Sequence, residues 1–150
     1  MTSVNDVPGR VQGPWSGHIA GLLGAALKRI REEILASSEE LYPGLRVSHY
    51  RLLELIPPEG ARITDLAEVA TMTKQGLGQH VDYLQKLGYT ESDRLPDDRR
   101  VRLVRRTPLG DEAVAYSRAA IARVEATWTA QLGHTRYAAL QQTLRELGTQ

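Results

Sequence analysis

Hydrophobic residues recur at helical spacing in two short stretches near the middle of the chain. The first stripe is Ile63, Leu66, Ala67 and Ala70, and the second is Leu77, Val81, Leu84 and Leu87. Positions three and four apart lie on one face of a helix, so both stretches are predicted to be amphipathic helices that share a small core. Thr73 can act as an N-cap and Gly88 as a C′ residue, which bounds the second helix at about 74–87. The pattern predicts a helix-turn-helix.

The segment after Gly88 changes to a β pattern. Residues 89–94 and 100–106 flank the turn-rich residues 95–98, which predicts a β-hairpin. Six arginines and two aspartates lie between Arg94 and Arg106, a net charge of +4, whereas the whole chain carries only +1. Arginine suits phosphate groups and narrow, electronegative minor grooves. We interpret the hairpin as a DNA-contacting wing, and the alternative is a solvated edge strand protected by charge.

The outward face of the second predicted helix begins with Lys74, Gln75, Gly76, Gly78 and Gln79. Glutamine amides can pair bidentately with adenine in a major groove. We therefore expect Gln75 and Gln79 to read base edges, and Lys74 and the N-cap Thr73 to lie near phosphates. Ordinary solvated glutamines are the alternative. Glycine within a helix costs up to about 1 kcal/mol relative to alanine, so Gly76 and Gly78 either let DNA approach the backbone or let the free helix fray.

Helices are also predicted on both sides of this segment. Residues 1–14 have little periodicity and are predicted to be a flexible arm, while 15–150 form one domain. Apolar stripes predict helices at about 16–41 and 47–56. Thr107 as N-cap and Pro108 at N1 predict a long helix, and a last helix follows Gly133. The predicted fold class is mainly α with a small β-wing (α+β). A winged helix-turn-helix at about 47–107 lies between outlying helices at about 16–41 and 108–148.

Composition and motifs narrow the classes of function. The sequence has no cysteine, which excludes disulfides, thiol sensing and cysteine-ligated zinc. There is no run of about 18 apolar residues and no charged-then-apolar leader, so we expect a cytoplasmic protein without a membrane span. The four histidines are scattered without a metal-binding spacing, and no phosphate-binding loop or catalytic pair is visible. We therefore predict no enzyme activity, no cofactor and no metal site.

The sequence MTKQGLGQHVDYLQKLGY, followed by DDRR and TPLG, resembles the multiple antibiotic resistance regulator (MarR) family of winged-helix transcription factors. The resemblance covers roughly residues 16–148, and its most specific part is 62–110. In that family the wing carries an Asp-x-Arg motif, matched here by Asp98-Arg99-Arg100. The resemblance implies that Arg100 enters a minor groove and that Asp98 holds it in place. Arg99 and Arg102 are further candidate contacts on the wing. One departure is Arg106, where the family usually has an apolar residue.

The resemblance also implies a homodimer, a ligand crevice between the DNA-binding lobe and the dimerisation helices, and usually repression. The candidate dimerisation residues are Ile19, Leu23, Val114, Ile121, Val124, Trp128, Tyr137, Leu140 and Leu144. Such a stripe can be intrachain core or an intermolecular seam, and we favour the seam partly because of the resemblance. Tyr42 and His49, near the bend between the first two helices, could face the crevice. A core or surface role is the alternative for both residues.

These observations combine into one hypothesis. The protein is expected to be a sequence-specific transcriptional regulator, a ligand-responsive repressor that binds a pseudo-palindromic operator as a homodimer. Its partners would be double-stranded DNA, a second copy of the chain and a small-molecule effector. The alternative is a winged helix that serves as a protein-interaction module without DNA readout.

Overall fold

The computed structural model describes residues 17–148, so the predicted arm at 1–14 lies outside the described residues. Seven helices and three short strands form the described chain. They are α1 (Ile19–Leu35), α2 (Ser38–Leu41), α3 (Val47–Leu55), β1 (Ala61–Arg62), α4 (Ile63–Ala70), α5 (Lys74–Lys86), β2 (Thr90–Arg94), β3 (Arg102–Arg106), α6 (Pro108–Leu132) and α7 (His134–Gly148). The prediction of a mainly α fold with a small β-wing is confirmed.

The prediction of one continuous helix at 16–41 is wrong. Helix α1 ends at Leu35, and α2 begins at Ser38 after a turn. Two contacts with distant residues hold this break. The Tyr116 hydroxyl of α6 donates to the Ile34 carbonyl at 2.6 Å and accepts from the Ser37 N–H at 3.3 Å. The buried Ser38 hydroxyl lies 2.5 Å from the Tyr50 hydroxyl. Two backbone groups at the break, the Ile34 carbonyl and the Ser37 N–H, are therefore bonded by one side chain of α6.

The helix-turn-helix is built from α4 and α5, with α3 packed against them. The Thr73 hydroxyl accepts the Gly76 N–H at 3.0 Å, which confirms Thr73 as the N-cap of α5. At the other end Gly88 has φ +89°, a conformation that glycine adopts without steric cost. The core side chains Leu53, Ile56, Leu77, Val81, Leu84 and Val104 are fully buried. Burial of each contributes about 1.5–3 kcal/mol relative to exposure, which makes this cluster the main support of α5.

The wing is part of a three-stranded antiparallel sheet with the order β1-β3-β2. Sequence patterning missed β1, since a two-residue strand has no periodicity to detect. Strand β3 begins at Arg102 rather than at residue 100, because Val101 and Asp98 close the tip through a backbone hydrogen bond of 3.0 Å. Arg106 is the last residue of β3. It forms an ion pair with Asp111 at 2.8 Å and also donates to the Leu53 carbonyl at 3.2 Å. These two bonds hold the end of β3, at the position where the resemblance implied an apolar residue.

Helix α6 joins the winged lobe to the outlying helices. The Thr107 hydroxyl accepts the Gly110 N–H at 3.1 Å and donates to the Gly88 carbonyl at 2.6 Å, so the N-cap also ties α6 to the end of α5. Val114 and Val124, predicted to be in a dimer seam, are 3% and 2% exposed within one chain. They therefore belong to the intrachain packing. Ile121 is half-buried against the core that contains Val114.

Within residues 17–148, the outer faces of α1 and α7 carry apolar side chains that remain exposed. Helix α7 has no buried residue along its 15 residues. Trp128 and Tyr137 are half-buried. Seven side chains, which we call the α1/α7 apolar faces, are exposed by 40% or more: Ile19, Leu22, Leu23, Leu27, Leu140, Leu144 and Leu147. No helix between residues 17 and 148 is both long and apolar enough to cross a membrane.

Candidate nucleic-acid interface

An open cleft of about 730 Å³ separates the beginning of α5 from the wing. We call it the basic cleft, because five cationic side chains and one carboxylate line it. Its lining residues are Arg62, Ile63, Thr64, Lys74, Gln75, Gly78, Arg94, Asp98, Arg100, Val101 and Arg102. A concentration of positive charge on one surface is typical of proteins that bind the phosphate backbone of nucleic acids.

The helix side of the basic cleft is polar and sterically open. Lys74, Gln75 and Gln79 are exposed on α5. A Cβ placed on Gly78 would meet no atom within 4 Å, so the helix backbone at this point is open to a ligand. Thr73 uses its oxygen to accept the Gly76 N–H, and its hydroxyl hydrogen is still able to donate to a phosphate. These four side chains, singled out from the sequence, lie along the first turns of one helix.

The tip of the wing presents one arginine in a fixed orientation. Arg100 donates from Nε to Asp98 Oδ1 at 3.1 Å and from Nη2 to Asp98 Oδ2 at 3.3 Å, and its backbone N–H donates to Oδ1 at 3.1 Å. The Arg100 side chain is nevertheless 91% exposed. The side-chain hydrogen bond from Arg100, followed by its backbone N–H, holds the pKa of Asp98 below its usual value. Asp98 therefore orients the guanidinium and leaves it accessible.

The wing arginines fall into two groups that the sequence did not distinguish. Arg102 was expected to contact DNA, but it is only 18% exposed and pairs with Asp82 of α5 at 2.7 Å. Arg105 pairs with Asp93 across the hairpin, and Arg106 pairs with Asp111. The other three, Arg94, Arg99 and Arg100, are exposed. Four of the six wing arginines thus form ion pairs with acidic groups of the same chain, but among these four only Arg100 keeps a largely exposed side chain.

Sequence reasoning missed Arg62, Thr64 and Arg94 as residues of the cleft. Arg62 immediately precedes α4, and β1 pairs it with Leu103 of the wing. This pairing places Arg62 close enough to Asp98 for its charge to contribute to the lowered pKa of that carboxyl. A basic residue just before the first helix of the helix-turn-helix was visible in the sequence. Its proximity to the wing depends on a strand too short to predict.

Tyr42 and His49, suggested as crevice residues, lie in different surroundings. The Tyr42 ring is half-buried, 5.3 Å from the Tyr116 ring and 6.5 Å from the Tyr89 ring. His49 is buried, and its Nδ1 accepts the Arg46 N–H at 2.9 Å at the start of α3. Its ring stacks on Tyr83 of α5 with 5.0 Å between centroids. His49 thus has a structural role as a capping residue, whereas Tyr42 contributes to an aromatic cluster.

We expect His49 to make the protein less stable in acid. Burial first, and then the nearby His80 and Arg46, lower the pKa of His49 below its ordinary value. Its neutral form is favoured in the fold, so this stabilisation is present above the unfolded pKa of about 6.5 and is lost as pH falls through the folded pKa. His49→Asn keeps an acceptor for the Arg46 N–H without a titrating ring. Urea unfolding between about pH 7 and pH 5 should show a shallower pH dependence for this variant. Equal slopes in both proteins would contradict the assignment.

A helix-turn-helix followed by an arginine-tipped hairpin defines a winged helix-turn-helix fold, and solved structures of MarR-family regulators share it. CouR, a transcriptional repressor bound to a 23-mer DNA duplex, matches with a TM-score of 0.73 and 24% identity over 93% of this chain and 99% of that chain. A MarR-family regulator from Rhodococcus sp. RHA1 matches with a TM-score of 0.70 and 20% identity, over 93% of this chain and 97% of that chain. CouR from Rhodococcus jostii RHA1 bound to p-coumaroyl-CoA matches with a TM-score of 0.68 and 21% identity, over 92% of this chain and 96% of that chain. No protein-family model and no curated protein matches the sequence.

Proposed function

We propose that the protein is a transcriptional regulator of the MarR family that binds double-stranded DNA. The observation that carries this proposal is the basic cleft, in which an exposed guanidinium held by Asp98 stands opposite the polar first turns of α5. Both surfaces are needed, because a helix reads base edges in a major groove and an arginine suits the adjacent minor groove. The resemblance of MTKQGLGQHVDYLQKLGY, DDRR and TPLG to the family, together with the shared fold, supports the same conclusion.

In the proposed complex α5 lies in a major groove. Gln75 and Gln79 pair with base edges, while Lys74 and the Thr73 hydroxyl contact phosphates. Arg100 enters the neighbouring minor groove with Arg99 beside it. Arg62 and Arg94, at the walls of the basic cleft, provide further phosphate contacts. Phosphate contacts position the protein and supply much of the affinity, while the few base contacts supply the sequence preference.

We further propose that the protein acts as a homodimer. The α1/α7 apolar faces would be covered by the same faces of a second copy, since a large exposed apolar surface commonly marks an interface. Two-fold symmetry would match an operator with two half-sites about one helical turn apart, roughly 34–36 Å. The two DNA-binding lobes of the dimer would thereby bind both half-sites at the same time.

Repression and response to an effector complete the proposal. The CouR bound to a 23-mer duplex is described as a transcriptional repressor, and the structure of CouR from Rhodococcus jostii RHA1 contains p-coumaroyl-CoA, a ligand with an aromatic acyl group. In this chain the half-buried Tyr42 ring beside Tyr116 and Tyr89 offers aromatic surface near the end of α2. We propose that an aromatic or amphipathic small molecule binds between the lobes and weakens operator binding. A regulator of this kind acts on DNA in the cytoplasm, and no catalytic step is part of the proposal.

Two substitutions test the separate roles of helix and wing. Binding sites are first selected from a random duplex pool with the wild-type protein. Gln79→Ala should then lose about 1–3 kcal/mol on the selected site and much less on random duplex, because it removes a base-edge contact. Arg100→Ala should weaken binding to both duplexes and reduce the slope of log affinity against log salt by about one unit. Salt titrations of both variants on both duplexes measure these effects.

The matched control is Arg51→Ala, which removes the same charge from an exposed position on α3 that does not line the basic cleft. It should leave the salt slope and the preferred sequence unchanged. A wild-type protein that selects no sequence from the pool, or an Arg100→Ala variant indistinguishable from wild type, would contradict DNA readout. Either result would favour a winged helix that serves as a protein-interaction module.

A further inference from the structure

We propose that Arg102 is a positioning residue that sets the angle between the wing and α5, and thereby decides where Arg100 reaches the DNA. This inference rests on the proposed function, since it concerns how the helix and the wing are coordinated on one duplex. It assigns to Arg102 a role different from that of the exposed wing arginines. The residue holds the reading surfaces together and does not itself contact DNA.

The guanidinium of Arg102 joins β3 to one face of α5. Its Nη1 lies 2.7 Å from Asp82 Oδ1, and its Nη2 donates to Gln85 Oε1 at 3.1 Å. Asp82 and Gln85 are three residues apart, so they lie on the same face of the helix. Both terminal nitrogens of the guanidinium are therefore bound to the helix. An arginine held by two partners in this way is oriented, and it is 18% exposed.

The other wing strand is attached to the same amide. Gln85 Oε1 also accepts the Ser92 hydroxyl of β2 at 2.8 Å. One oxygen thus receives a bond from each strand of the hairpin, as its two lone pairs allow. We call Asp82, Gln85, Ser92 and Arg102 the wing bracket. Because the wing bracket is bonded to both strands, it constrains the whole hairpin and not one strand alone.

The wing bracket lies at the end of the paired strands, so it controls the position of the hairpin tip. Arg94↔Arg102 is the last paired register of β2 and β3, and the tip at residues 95–101 lies beyond it. Any rotation of the hairpin about this point therefore moves Arg100 relative to the beginning of α5. By contrast, the ion pair between Arg105 and Asp93 joins the two strands to each other. That pair stiffens the hairpin but does not connect it to the helix.

Whether Asp82→Ala raises or lowers DNA affinity distinguishes a positioning role of Arg102 from direct contact with DNA. Asp82 is an acidic residue, 67% exposed, on a helix proposed to lie against phosphates. If Arg102 contacted DNA, Asp82→Ala would free a cation and remove a repulsive charge, so affinity would rise. If Arg102 positions the wing, Asp82→Ala should instead lower affinity for the selected site by about fivefold or more, a change typical of coupled contacts. Asp82→Ala should also reduce the ratio of affinities for sites with A·T-rich and G·C-rich flanks, while the preference for the central bases stays unchanged.

Three variants complete the experiment, which measures affinity on selected sites with A·T-rich and G·C-rich flanks. Arg102→Gln should reproduce the loss of flank preference, and the charge-swapped pair Asp82→Arg with Arg102→Asp should restore a large part of it. Arg105→Gln, the matched control, removes a wing arginine outside the bracket and should keep the flank preference within about twofold. Thermal unfolding of each variant reports whether the fold is retained. If Asp82→Ala fails to fold, the charge-swapped pair supplies the comparison.

A measurement without DNA distinguishes failure of this inference from failure of the proposed function. The chain has no cysteine, so Arg99→Cys and Glu68→Cys introduce two unique sites for spin labels, one on the wing tip and one on α4. The labelled subunits are diluted with unlabelled protein. The distance distribution between the labels should be narrow with Asp82 present and wider or displaced in Asp82→Ala. An unchanged distribution, or an increase in DNA affinity in Asp82→Ala, overturns the role of Arg102. Absence of any duplex binding by the wild type overturns the proposed function, and the proposed effect on Arg100 with it.

Discussion

Leu144→Glu is expected to separate the proposed dimer into monomers and to abolish tight binding to a duplex with two half-sites. Leu144 is 42% exposed on α7, a helix that buries no residue within its own chain. A carboxylate enclosed in an apolar interface without a partner costs several kcal/mol, which is more than a moderate dimer interface can offset. Two linked DNA-binding lobes gain about 10²- to 10⁴-fold in avidity over one, and this gain should be lost. Sedimentation velocity at micromolar concentration and titrations on one- and two-half-site duplexes measure the two effects.

Leu23→Glu on α1 should give the same result, because this side chain is 46% exposed and belongs to the other apolar face. The control is Val69→Glu, in which an apolar residue, 63% exposed on α4 of the winged lobe, is replaced. This variant should remain dimeric. If all three variants stay dimeric, the α1/α7 apolar faces do not form the interface. A wild-type protein that is monomeric under these conditions would contradict the dimer altogether.

Gly110→Ala is expected to destabilise the protein by about 3 kcal/mol, near the upper end for overpacking a core. A Cβ at this position would lie 2.2 Å from the Tyr89 carbonyl oxygen and 3.3 Å from the Arg106 Cβ. The Tyr89 carbonyl cannot move away easily, since it accepts the Thr107 N–H at 3.2 Å and its own ring is buried. Gly110 therefore lets the start of α6 approach the junction between α5 and the wing. Urea unfolding followed by circular dichroism, at one fixed protein concentration, measures the change.

Gly78→Ala is the matched control for this measurement. It is also a glycine within a helix, but its added Cβ would meet no atom within 4 Å. Alanine should therefore stabilise α5 by up to about 1 kcal/mol. Opposite signs for the two substitutions would establish that space, and not helix propensity, decides the outcome at Gly110. Equal effects would contradict the close approach.

The helix-turn-helix and the wing were predictable because their signals are local. Apolar residues three and four apart and the N-caps Thr73 and Thr107 act within one or two helical turns. The Asp98 and Arg100 pair is likewise local, since its partners are two positions apart in sequence. Even the termination of α5 just before Gly88 follows from the freedom of glycine to adopt positive φ. The helix face proposed to read DNA needed only the periodicity of α5, and its residues lie as expected on the exposed side.

By itself, then, the sequence determined the helix-turn-helix, the wing hairpin, the N-caps Thr73 and Thr107, and the polar face of α5. Only the tertiary structure decided which arginines remain accessible, because Asp82 and Asp93, the acidic partners of Arg102 and Arg105, come from distant positions in sequence. The same holds for the break after α1, which depends on the Tyr116 hydroxyl, and for Val114, which packs within one chain. Periodicity identifies an apolar or basic face of an element. Which distant group covers that face depends on how the elements pack, and hydrophobic spacing contains no information about it.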